Sequence, residues 1–139
     1  MKRDSSSLLL LEMTLAVLFF ALSAAVILQV FIGAHRKSVQ SEVVATATLL
    51  CEDAVNAMRA SQREMDVFFT RDGYTKTDRG YEKQVTVNDR RYTLSFTGRE
   101  HRGEAGVLIL GEIAAYYAGD PEPAHSMGAA CFYAGGAGP

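Results

Sequence analysis

Residues 8–34 read LLLLEMTLAVLFFALSAAVILQVFIGA, and Glu12 is the one charged residue in that stretch. From Met13 to Ala34 no position carries a charge. A helix rises about 1.5 Å per residue, so this uncharged run spans about 33 Å, enough to cross a hydrocarbon core of roughly 30 Å. The apolar region of a cleaved secretory signal is shorter, about 7–15 residues. Ser23, Ala24 and Ala25 are small enough to mimic a signal-peptidase site, but cutting there leaves Val26–Ile32 as an apolar stub. The segment is therefore expected to stay with the chain as an anchor. Lys2 and Arg3, offset by Asp4, precede it, and His35, Arg36 and Lys37 follow it. Positive charge on both flanks gives no orientation by itself.

Beyond the anchor, no Gly or Pro falls between Ala34 and Arg63. Val39, Val43, Ala47, Leu50, Ala54 and Met58 recur every three or four positions, which marks one apolar face of a helix. Cys51 flanks that stripe, four residues after Ala47 and four before Val55. One helix over about residues 8–64 accounts for both patterns and would be roughly 85 Å long. Globular helices average about 11–12 residues.

The C-terminal half changes period. Thr70–Gly80 is polar and carries the turn signal Asp72-Gly73, so it is expected to be a loop. Val85 and Val87 alternate with polar neighbours, Asn88-Asp89 supplies a turn, and Tyr92, Leu94 and Phe96 alternate again. These five side chains share the sheet face expected to cover the helix stripe. A charged loop is expected over Gly98–Gly106, then a strand at Val107–Leu110 and another including Ile113–Tyr117. Asp120-Pro121-Glu122-Pro123 reads as a loop. Ala129–Tyr133 reads as a last edge strand before a Gly-Ala-rich tail. The fold class expected is α+β: a long N-terminal helix against a small antiparallel sheet.

A carboxylate near the start of a membrane helix is costly, and such groups tend to have a partner or a function. Glu12 can also sit hydrated at the headgroup level, and position alone does not choose between the two. The run Lys2-Arg3-Asp4-Ser5-Ser6-Ser7 followed by Leu8-Leu9-Leu10-Leu11-Glu12-Met13-Thr14-Leu15 resembles the leader and start of type IV pilins and type II secretion pseudopilins. In that family a prepilin peptidase removes a short basic leader, the new N-terminal residue is methylated, and a glutamate stands fifth in the mature chain. The resemblance implies a leader of residues 1–7, cleavage between Ser7 and Leu8, and an assembly role for Glu12. It further implies a transmembrane and assembly helix over 8–34 and an extracytoplasmic pilin-like domain over 35–139. Where the family usually has Gly before the cut and Phe after it, this chain has Ser7 and Leu8. The segment also lacks the Pro that major pilins often carry, which points to a minor subunit or pseudopilin. The stretch Phe68-Phe69-Thr70-Arg71-Asp72-Gly73-Tyr74 is similar to one in pilin-like proteins of Gram-positive bacteria.

The expected function is a structural subunit of a pilus-like or secretion-like filament, with other pilin-like subunits, a prepilin peptidase and the membrane as partners. The long helix suits a subunit whose helices line a filament core. The expected location is a single-pass cell membrane with the C-terminal domain outside, and the cell surface after assembly. An alternative fits the same residues: an uncleaved single-pass protein whose small outer domain is a binding or scaffolding module.

Other chemistry has little support. Of 14 Lys+Arg and 16 Asp+Glu, Lys2, Arg3, Asp4 and Glu12 lie before residue 35, so the remainder is near neutral and no nucleic acid partner is indicated. His35, His101 and His125 are far apart and in no ligand spacing, so no metal site is expected. Asp120 and Glu122 fall short of the roughly six to eight oxygens that calcium takes. No nucleophile elbow or phosphate-binding loop is present, so neither an enzyme nor a cofactor is expected. Tyr116 and Tyr117 read as strand residues. Cys51 and Cys131 are either a disulfide, permitted outside the cytoplasm, or two buried thiols.

Overall fold

The computed structural model describes residues 4–134. Residues 1–3 of the expected leader and the tail at 135–139 lie outside the described residues. Helix α1 spans Asp4–Ser61, α2 spans Met65–Arg71, and five strands follow: β1 Thr75–Thr77, β2 Gly80–Val87, β3 Arg90–Gly103, β4 Gly106–Tyr117 and β5 His125–Tyr133. All neighbouring strands are antiparallel, in the order β1-β2-β3-β4-β5. The expected α+β arrangement, a long N-terminal helix packed on an antiparallel sheet, is the one observed. The chain divides into two compact units at Ser41 and Glu42.

The first unit is the apolar part of α1, in which the side chains from Leu8 to Ile32 are exposed. Its helix is long and apolar enough to cross a membrane.

In the second unit, Val43, Ala47, Cys51, Val55 and Met58 form the buried stripe of α1. Leu50 and Ala54 flank it. Cys51 therefore sits in the middle of the stripe, with Ala47 and Cys51 both fully buried. Small side chains at those two levels let the helix backbone approach the sheet closely. Helix α1 stops at Ser61, three residues before the expected end. Gln62 turns left-handed at φ 46°, which breaks the run of helical hydrogen bonds.

The hairpin reads as expected. Asn88 and Asp89 take φ values of 50° and 59°, the mirror-image two-residue turn whose twist matches the strands. Tyr92, Leu94 and Phe96 are buried on the inner face, with Val85 and Val87 packed at its edge. The polar stretch Thr70–Gly80 is not wholly loop, since Thr70 and Arg71 end α2, Thr75–Thr77 form β1 and Gly80 begins β2. Phe68 and Phe69 of α2 dock on the sheet, where Phe69 stacks on Tyr81 and on Phe96, each with ring centroids 4.6 Å apart. Tyr74 meets Phe69 edge-on at 4.9 Å.

The expected charged loop over Gly98–Gly106 is instead a continuation of two strands. β3 runs on to Gly103, pairs Gly103 with Gly106, and returns as β4 without a break between Val107–Leu110 and Ile113–Tyr117. The charges are tolerated because they are exposed or paired. Arg102 Nη2 lies 3.1 Å from Glu64 and its Nε donates to Glu100 at 2.8 Å, while the Met65 amide donates to Glu100 at 3.4 Å. Midway, Gly98 faces Gly111. The Phe96 ring lies across this pair, so a Cβ on either glycine would sit 2.6 Å from the ring. Gly111→Ala would also bring its Cβ to 2.6 Å from the Thr97 carbonyl oxygen, a backbone atom that cannot swing away. We expect this variant to lose about 1–3 kcal/mol of stability. Denaturant unfolding of the full chain in detergent checks this, and Ser126→Ala, at an exposed strand position, is the control expected to change little.

Candidate functional site

The site implied by the leader resemblance falls on the first four turns of α1. The Ser7-Leu8 bond lies inside the helix, which begins at Asp4, and Leu8 is exposed. Glu12 stands four residues beyond Leu8, so the two share a helix face, about 6 Å apart along the axis. Leu9, Met13 and Ala16 line an open, mostly apolar hollow together with Glu12. Among the described residues, no cation and no hydrogen-bond donor faces it.

Two other polar side chains on this segment are satisfied by their own helix. Thr14 Oγ1 donates to the Leu10 carbonyl at 2.7 Å, and Ser23 Oγ to the Phe19 carbonyl at 2.8 Å. Bonding back to the preceding turn satisfies a hydroxyl without a partner helix. Glu12 is acceptor-only when ionised and cannot do the same.

The remaining residues singled out in the sequence are dispersed. His35 and His101 are exposed and His125 is half-buried. Asp120 and Glu122 are exposed in the connection after β4. Among the described residues, no group of three or more His, Cys, Asp or Glu gathers at one place.

Cys51 and Cys131 are free, buried thiols, and the disulfide is not formed. The reason is axial distance. Cys131 Sγ lies 3.9 Å from the Met58 carbonyl oxygen, and Met58 is seven residues beyond Cys51 on α1. Seven residues amount to about 10 Å of helix, whereas disulfide-bonded Cα atoms lie about 4.4–6.8 Å apart.

Sequence reasoning missed two contacts that organise the domain. Arg59 Nε donates to the Ala130 carbonyl at 3.3 Å, placing a cation on edge strand β5. Glu42 receives Arg90 Nη1 at 2.9 Å, fastening α1 to the β2–β3 turn. Both join residues far apart in the chain, and a one-dimensional pattern holds no signal for them.

No family model matches the chain, and no curated protein or solved structure is significantly similar to it.

Burial pushes the Cys51 thiol up from 9.0 to about 11. In the unfolded chain the thiol gives up its proton near 9.0, while the folded chain holds it to about 11. Stability from this group is therefore complete below pH 9.0 and is lost as the pH rises toward 11. We expect both thiols to resist iodoacetamide at pH 8 in the folded chain and to react quickly in guanidinium. Rapid labelling of the folded chain would contradict the buried placement.

Proposed function

We propose that this chain is a structural, non-enzymatic subunit of a pilus-like or secretion-type filament. On this reading it is held in the membrane by its N-terminal helix, processed between Ser7 and Leu8, and assembled by packing of residues 8–34 against the same segment of other subunits. The observation that carries the reading is Glu12, a lone carboxylate on an apolar helical surface that offers it no partner.

A carboxylate moved into an apolar medium without a counter-charge is strongly destabilised, by several kcal/mol after relaxation. Cleavage after Ser7 frees an α-amine at Leu8, one helix turn from Glu12 on the same face. Methylation of that amine keeps its charge. When helices pack side by side, the Leu8 amine of one copy and the Glu12 carboxylate of the next neutralise each other. Because a misplaced neighbour leaves both charges uncompensated, the pair selects the axial register.

The small sheet domain serves assembly by remaining folded outside the membrane. The continuous helix, without the usual Pro, favours a minor subunit or pseudopilin.

The test is charge removal at Glu12. Glu12→Gln makes the helix more apolar, so insertion in the membrane is retained. We expect the assembled fraction, recovered by shearing or as amine-crosslinked multimers, to fall at least tenfold. Assembly of Glu12→Gln at the wild-type level would overturn the register role.

A further inference from the structure

Three uncharged polar side chains interrupt the apolar run Met13–Ala34: Thr14, Ser23 and Gln29. The two hydroxyls donate to their own helix. Gln29 does not: it is exposed, and among the described residues its amide has no hydrogen-bond partner. On an apolar helix, two N–H donors and a carbonyl acceptor are left unmatched.

We propose that Gln29 is a second assembly contact, hydrogen-bonding to the helix of a second copy of this chain. The inference rests on the filament reading above, in which residues 8–34 are surrounded by lipid and by identical helices. Lipid tails offer an amide nothing, whereas another copy does. Every copy inserts in the same direction and carries Gln29 within its apolar run, and an amide is self-complementary because it both donates and accepts. The side chains one turn away on that face, Ala25 and Gly33, are small, and nothing approaches within 4 Å of a Cβ built at Gly33. A neighbouring helix can therefore come close enough to meet the amide.

The position of Gln29 also bears on how many neighbours each helix has. Glu12 and Gln29 are 17 residues apart. At about 3.6 residues per turn this is about 4.7 turns, which leaves the two groups about 100° apart around the axis. A single straight neighbour cannot face both. The Glu12 contact and the Gln29 contact thus go to different copies, which requires a bundle of at least three helices and not a dimer.

The experiment compares wild type, Gln29→Leu, Gln29→Asn and Glu12→Gln as full chains in membranes, reading the amine-crosslinked multimer ladder. Gln29→Leu is more apolar than the wild type, so it inserts at least as well. We expect it to lower the yield of trimers and larger species by roughly three- to tenfold. Gln29→Asn, which keeps an amide, is expected to retain part of that yield. A Gln29→Leu ladder equal to wild type, alongside a depleted Glu12→Gln ladder, would overturn the Gln29 contact and leave the filament reading intact. Absence of multimers in the wild type would overturn both.

Discussion

Between Leu8 and Ile32, α1 presents seventeen large apolar side chains that are each half to three-quarters exposed within the chain itself. Covering such a side chain is worth about 1.5–3 kcal/mol. Seventeen of them amount to tens of kcal/mol, against a net folding stability of about 5–15 kcal/mol. This surface has to be covered from outside the chain. Lipid would supply that cover around a membrane-spanning helix, and in the proposed filament other copies of the helix would supply it. On the filament reading, Glu12 separates a passive anchor from an assembling one, because lipid satisfies the apolar side chains but leaves the carboxylate alone. A neighbouring helix that carries a free amine would satisfy both.

The second unit solves a different problem, holding one amphipathic helix against one sheet. The stripe from Val43 to Met58 supplies the helix side, and inner-face residues such as Tyr92, Leu94, Phe96 and Ile109 supply the sheet side. Phe69 ties the short α2 into this core through its stacked contacts with Tyr81 and Phe96. Edge strand β5 carries a guanidinium from Arg59 on the Ala130 carbonyl, and a charge there discourages another strand from pairing. In the proposed filament, a domain built this way would stay separate from its neighbours' sheets.

Much of this was legible in the residues. The uncharged run marked a helix long and apolar enough to cross a membrane, the three-and-four spacing placed the buried side of α1, and alternation around Asn88-Asp89 gave the hairpin and its inner face. The misreadings have separate causes. Charges at Arg99, Glu100, His101 and Arg102 suggested a loop, yet they sit in strands because Glu64 and a facing strand accommodate them. The permissive feature, Gly98 opposite Gly111 beneath the Phe96 ring, is a cross-strand relation invisible along the chain. Cys51 was placed beside the stripe although it lies at its centre, because the stripe follows i+4 steps through Val43, Ala47, Cys51 and Val55. The site was legible only in part. Glu12 stands out as a lone charge, whereas Gln29 stands out only once Thr14 and Ser23 are seen to be bonded to their own helix.

On the filament reading, assembly depends on cleavage of the Ser7-Leu8 bond, since a chain that keeps its leader has no amine at Leu8 to meet Glu12. Intact-mass and N-terminal analysis of the protein from its native membrane tests this most directly. A chain beginning at methylated Leu8 is the predicted result. A chain still beginning at Met1 would contradict it and leave an uncleaved, signal-anchored domain.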